Sequence, residues 1–234
     1  GNYGVNEEDA ESRRPFVDGF IVKEYSKIAS NWRSTQTLGD YLQKHGIVAI
    51  EGIDTRDLTL HIRQAGAMKA VISTIDQDAA SLIAKAKKSP GLVGIDLVKE
   101  VVPPKAFEWN KNGKYRVVVL DCGAKYNIMR ELASHGCAVT VVPARTSAKE
   151  ILALKPRGIM LSNGPGDPAA VAYVVKTVQD LMGKTVIFGI CLGQQMLGQA
   201  LGGKTFKLKF GHHGGNHPGK DLKTGKVAIT VQNH

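Results

Sequence analysis

The sequence predicts an α/β protein in two parts: a mixed α/β N-terminal domain, then a domain built on a mainly parallel sheet. Three observations point there. Between residues 116 and 201, short apolar runs alternate with helical stretches. The runs at 116–121, 138–143, 158–162 and 185–190 are apolar almost throughout, the pattern of strands covered on both faces. A stretch of Pro, Lys and Asn, Val101-Val102-Pro103-Pro104-Lys105 and then Asn110-Lys111-Asn112-Gly113, separates this region from a less regular first part. The domains are therefore placed at 1–103 and 114–234, with 104–113 as a linker.

In the first domain, residues 34–45 read as a helix running into Gly46-Ile47-Val48-Ala49-Ile50, a short apolar strand. Asp54 in Asp54-Thr55-Arg56-Asp57 caps a second helix. Its apolar positions Leu58, Ile62 and Ala65 recur at near-helical spacing until Gly66 stops it. Residues 68–74 read as another strand and 81–88 as a Lys-rich helix. In the second domain, helices are expected at 126–135, ended by Gly136, and at 147–154, with Ser147 as cap and Glu150 three residues on. Further helices are expected at 169–182 and 192–201, and later strands at 204–208 and 226–231. Ligands of such sheets sit beyond the carboxyl ends of the strands.

With 234 residues and 43% hydrophobic content, the chain can bury one large core or two modest ones. No run reaches the roughly 18–20 apolar residues of a membrane span. No charged-then-apolar leader opens the chain. It begins at Gly1 without a Met and stops at His234 directly after an alternating apolar stretch. Further segments are expected at both ends, which leaves an organellar leader open. Cys122, Cys137 and Cys191 are odd in number, widely spaced and without a CxxC pair, which suits a reducing, cytoplasmic setting. The 31 basic and 21 acidic residues give +10, yet the basic ones are scattered, with no run of five and no interleaved aromatics. Nucleic acid is not expected as a partner. A basic face toward an acidic protein or phosphorylated ligand, or a solvated surface, accounts for the charge.

The chemistry concentrates at Gly189-Ile190-Cys191-Leu192-Gly193, where an expected strand meets an expected helix. This is the thiol version of the Gly-x-Ser-x-Gly elbow, a tight turn that projects its nucleophile from the sheet edge. A helix N-terminus stabilises negative charge on sulfur, and the next N–H, that of Leu192, is placed for an oxyanion. The competing reading is a small buried Cys in a tight turn. Ser162-Asn163-Gly164-Pro165-Gly166-Asp167-Pro168 follows another strand and opens on the same edge, where Gly164 offers a second oxyanion N–H. Alone, it reads equally as a plain Gly/Pro turn. Gly211-His212-His213-Gly214-Gly215-Asn216-His217-Pro218 holds three His, but no Cys or carboxylate stands at ligand spacing, so a glycine-rich ordered loop is expected and no metal. Cys122 and Cys137 read as packing residues.

Gly189-Ile190-Cys191-Leu192-Gly193-Gln194-Gln195 resembles the nucleophile motif of class I glutamine amidotransferases, and residues 162–168 resemble their oxyanion loop. Three further stretches resemble the small, glutaminase chain of carbamoyl phosphate synthetase. They are Phe210-Gly211-His212-His213-Gly214-Gly215-Asn216-His217-Pro218, Asp121-Cys122-Gly123-Ala124-Lys125-Tyr126-Asn127-Ile128, and Gly46-Ile47-Val48-Ala49-Ile50-Glu51-Gly52-Ile53-Asp54-Thr55-Arg56. The resemblance runs end to end and implies a flavodoxin-like second domain, incomplete at its C-terminus. It implies Cys191 as nucleophile, Gly164 and Leu192 N–H groups at the oxyanion, and Gly164, Gly166, Leu192, Gln195 and Asn233 around glutamine. His234 has a supporting role. Ammonia would pass to a large subunit that uses bicarbonate, ATP and Mg to make carbamoyl phosphate for arginine and pyrimidine synthesis. The chain itself would need no cofactor.

The sequence also departs from the family. The family's catalytic His and Glu stand in a His-Pro-Glu segment downstream of Gln232-Asn233-His234, and no His-x-Glu pair occurs in these 234 residues. His217-Pro218 is followed by Gly219. A nucleophile without its base loses orders of magnitude in rate, so these residues alone are expected to turn over little glutamine. A non-catalytic, partner-binding or regulatory domain remains an alternative, as does the glutaminase of another biosynthetic pathway. The N-terminal domain argues against the latter.

Overall fold

The computed structural model describes residues 3–234. The chain divides into two compact units, one ending at Gly91 and the other spanning Leu92–His234.

The first unit holds strands β1 (Gly19–Ile21) and β2 (Val48–Ile50) and helices α1 (Leu38–Lys44), α2 (Thr55–Ala65) and α3 (Ala79–Lys88). β1 and β2 pair in parallel, Gly19 opposite Val48. Each helix begins where a side chain takes its first free N–H groups: Thr37 for α1, Asp54 for α2 and Asp78 for α3. Gly66, at φ +99°, ends α2. Residues 68–74 form no strand. β1 and β2 pair with each other, and Lys69 Nζ instead donates to the carbonyls of Lys87 (2.7 Å) and Ser89 (2.6 Å), tying this segment to the end of α3. Among the described residues of this unit, Leu42 is the one large apolar side chain that is buried.

The second unit contains α4 (Val98–Val101), β3 (Phe107–Asn110), β4 (Tyr115–Asp121), α5 (Tyr126–Ser134), β5 (Cys137–Pro143), α6 (Ala148–Ala153) and β6 (Gly158–Leu161). Then come α7 (Ala172–Leu181), β7 (Val186–Gly189), α8 (Leu192–Ala200), β8 (His213–Lys220) and β9 (Val227–Asn233). The division at Gly91 falls before the expected 103/114 boundary, because residues 92–113 pack with this unit. Val98 is fully buried in its core. Asp96 accepts hydrogen bonds from Arg145 (3.3 Å) and the Tyr173 hydroxyl (3.2 Å). The expected linker contains β3, which pairs antiparallel with β5.

The sheet order is β3-β5-β4-β6-β7, and β5, β4, β6 and β7 run parallel. By order of appearance the parallel strands lie 2-1-3-4, the flavodoxin-like arrangement. The strand order reverses between β4 and β6, so the crevice for a ligand opens beyond their carboxyl ends. The alternation of side chains along β4 explains the two cores. Val118 and Leu120 face α6, α7 and α8, whereas Val119 faces α5 with Met129, Val139 and Val141. Coverage on the α5 side stops short of β7, where Val186 and Phe188 are 72% and 61% exposed.

Two other expectations change here. Pro168 opens the expected 169–182 helix with a 3₁₀ turn, Pro168–Val171, before α7 begins. Residues 204–208 form no strand, and the glycine-rich histidine segment does: β8 pairs antiparallel with β9, with a register shift between Gly214 and His217 that absorbs the glycines.

Candidate active site

Cys191 stands between the last residue of β7 and the first of α8 with φ +53° and ψ −111°, a backbone conformation that side chains rarely adopt. The flanking glycines hold this turn by close packing. A Cβ on Gly189 would lie 2.5 Å from the Gly193 carbonyl carbon, and one on Gly193 would lie 2.2 Å from the Leu161 carbonyl oxygen. The elbow is thus wedged against the carboxyl end of β6. The main-chain N–H of Ile190 also donates to Leu161 O at 3.0 Å.

The loop after β6 approaches just as closely. A Cβ on Gly164 would stand 2.2 Å from Cys122 O and 2.8 Å from Leu192 Cδ2. Glycine there lets the loop lie between the end of β4 and the start of α8. Buried Ser162 accepts from the Cys122 N–H at 2.8 Å and donates to Asn163 O at 2.7 Å. Asn163 accepts from the Lys125 N–H and donates to Gly123 O, both at 3.1 Å. Asp121 Oδ1 accepts from the N–H groups of Gly123 and Ala124, both at 2.7 Å. These side chains lock the loops after β4 and β6 together. The motifs contain Asp121, Ser162 and Asn163 but give these three no role of their own; their signal was their place at strand ends, where Asp, Ser and Asn bond nearby backbone.

Cys191, Gly164 and Asn233 line one cavity of about 680 Å³, together with Asn163, Ile190 and His234. Gly166 and Gln195 line a second, of about 360 Å³, and His234 borders both. The expected substrate contacts therefore fall into two neighbouring hollows, while Leu192 is buried at the start of α8. Cys191 Sγ donates to the main-chain oxygen of Asn233 at 3.3 Å. Among the described residues, no imidazole or carboxylate hydrogen bond to Sγ is found.

His212, His213, His217 and His234 cluster beside it. His212 Nε2 lies 3.0 Å from His217 Nδ1, and the His212 ring packs edge-on to those of His217 and His234 at 4.3 and 5.2 Å. Burial, with the three neighbouring histidines adding to it, holds the His212 pKa below its ordinary value. Among the described residues, no group of three or more His, Cys, Asp or Glu could hold a metal ion. Cys122 is fully buried, and burial, with Asp121 and Asp96 nearby, pushes its thiol far above the ordinary range. Cys137 packs against the core on the α5 side. No helix among the described residues is long and apolar enough to cross a membrane.

Residues 118–234 match the family model for class I glutamine amidotransferases, and residues 1–72 match that for the carbamoyl-phosphate synthase small chain, CPSase domain. The carbamoyl phosphate synthase small chain of Syntrophotalea carbinolica is 52% identical over all of this chain and 66% of its own length. That of Aquifex aeolicus is 48% identical over all of this chain and 67% of its own. The chloroplastic small chain of Oryza sativa subsp. japonica is 49% identical, with 55% of its length covered. The chain thus spans about two thirds or less of the length of most of these relatives. Elbow, loops, parallel sheet and end-to-end similarity agree, and the chain belongs to the carbamoyl phosphate synthase small chain family, with a class I glutamine amidotransferase domain.

Proposed function

We propose that this chain supplies the nucleophile of a glutaminase that feeds ammonia to a carbamoyl phosphate synthetase large subunit. The observation that carries the reading is the strained Cys191 elbow at the head of α8, sharing a cavity with Gly164. The Cys191 thiolate attacks the side-chain amide carbon of glutamine. The oxyanion is received by the N–H groups of Leu192 and Gly164. The C–N bond then breaks, the amide nitrogen takes a proton and leaves as ammonia, and water hydrolyses the glutamyl thioester to glutamate and free thiol. Asn233 lines the cavity at Cys191, and Gly166 and Gln195 line the neighbouring one. Glutamine bound across both would place its amide at the sulfur and its α-carbon end at Gly166 and Gln195, with His234 between.

The large subunit would join this ammonia to bicarbonate with ATP and Mg, in the arginine and pyrimidine routes and a reducing, cytoplasmic setting. The chain's own residues need no cofactor for the thioester step. A second reading, a non-catalytic domain that regulates the synthetase, is favoured by one contact: the partner found for Cys191 Sγ is a carbonyl, not a base.

Glutamate release separates the two. With the large subunit, bicarbonate and ATP present, the full natural chain releases glutamate in equal amount to the carbamoyl phosphate formed, and Cys191→Ser abolishes both. The 234 residues alone release glutamate slowly, for want of a base at the thiol. Carbamoyl phosphate synthesis from glutamine that survives Cys191→Ser would overturn the reading.

A further inference from the structure

The steps above give the β8 histidines no part. Their hydrogen bonds nonetheless have a direction, fixed by the atoms that can only accept. His217 Nε2 lies 3.2 Å from the main-chain oxygen of His213, so Nε2 carries the proton. A neutral His217 then has a bare Nδ1, to which His212 Nε2 donates at 3.0 Å. His213 Nδ1 lies 2.9 Å from Asn233 Oδ1, another acceptor, so His213 donates there. Asn233 in turn offers its main-chain oxygen to Cys191 Sγ at 3.3 Å.

We propose that His213 is a positioning residue for Cys191: it grips the Asn233 side chain from the opposite strand and so fixes the carbonyl that accepts the thiol's hydrogen bond. This rests on reading Cys191 as the nucleophile. His213 and Asn233 are direct partners in the β8–β9 ladder. Just beyond them, His212 and His234 exchange main-chain hydrogen bonds of 2.5 and 3.0 Å. Those bonds hold the hairpin's backbone. Among the described histidines, His213 is the one whose ring bonds a residue that touches the thiol. The arrangement holds the sulfur turned toward β9 at rest. Attack on a substrate requires that contact to open, and the grip on Asn233 sets how readily it does.

The test is the rate at which iodoacetamide alkylates Cys191 in the full natural chain, read by mass spectrometry. His213→Ala removes the donor and raises the rate about threefold, the equivalent of one weak S–H···O contact. His213→Asn restores a donor close to the place of Nδ1 and returns the wild-type rate. In an Asn233→Ala background, His213→Ala adds nothing further, as expected if it acts only through that side chain. His213→Leu supplies the donor-free comparison if the alanine chain does not fold. Equal rates in wild type and the donor-free variants, a rise that His213→Asn does not reverse, or a full additive effect in the Asn233→Ala background overturns the proposal. Glutamine protection of wild-type Cys191 is measured alongside. Its absence would overturn the substrate reading, whereas the alkylation rates judge the positioning role whether or not glutamine binds.

Discussion

Replacing Gly193 by Ala tests the geometry that holds the elbow. The new Cβ would stand 2.2 Å from Leu161 O and 2.7 Å from the Leu161 carbonyl carbon and Cβ. Two of these are backbone atoms at the end of a central strand, so no side chain can swing away to make room. To reach even 3.0 Å from the oxygen, the start of α8 must withdraw by about 0.8 Å (3.0 − 2.2). The same oxygen accepts the Ile190 N–H at 3.0 Å, and the withdrawal strains that bond. Overpacking costs about 1–3 kcal/mol, and the weakened hydrogen bond about 1 kcal/mol more. For a domain of this size the melting temperature should fall by roughly 5–15 °C. A nucleophile displaced by nearly 1 Å should also react about 100-fold more slowly with a bound substrate analogue. Gly198→Ala is the control. It lies in the same helix, its Cβ would meet nothing within 4 Å, and it should stabilise the helix by about 0.5–1 kcal/mol. Thermal melts and rates of labelling by a glutamine-analogue chloroketone are compared for both. A Gly193→Ala chain that melts and labels like wild type would refute the wedge.

Three further outcomes follow from other parts of the molecule. Cys191→Gly releases the strain of φ +53° that Cys191→Ala retains, so it should be about 1 kcal/mol the more stable of the two in urea unfolding; equal stability would remove the strain argument. Ser147→Ala deletes a capping box in which Ser147 Oγ accepts from Glu150 N–H at 3.3 Å and Glu150 accepts from Ser147 N–H at 2.9 Å. It should cost about 1 kcal/mol in a thermal melt. The Lys85 ammonium, then Ser81 and the Asp78 N–H, hold Asp76 down at about 2, from an ordinary 3.8. A depressed carboxylate stabilises the fold above its unfolded value and loses that stabilisation as pH falls toward 2. Asp76→Asn should therefore melt lower than wild type at pH 7, with the gap closing between about pH 3.8 and about pH 2. A gap that persists at the lower pH would place the effect elsewhere.

Much of the site was legible because it depends on local rules. The elbow follows from glycines two before and two after a cysteine, at a junction where periodicity changes from strand to helix. The four parallel strands announced themselves as apolar runs. What stayed hidden was set by partners distant in sequence. β3 carries Glu108 and Asn110 amid loop-like residues and exists because β5 is there to pair with. The glycines of β8 speak against a strand, yet β9 supplies a ladder and the bulge takes up the misfit. Residues 68–74 show the converse: strand-like composition, yet they pair with no strand among the described residues. The bond between His213 and Asn233, 20 residues apart, is likewise a product of hairpin register.

The central claim is that Cys191 is the glutamine-directed nucleophile, and a glutamine-analogue chloroketone tests it most directly. The account predicts one label per chain, on Cys191, blocked by glutamine and absent from Cys191→Ser, with buried Cys122 unmodified. Labelling spread over several cysteines, or a Cys191 label that excess glutamine does not slow, would contradict it.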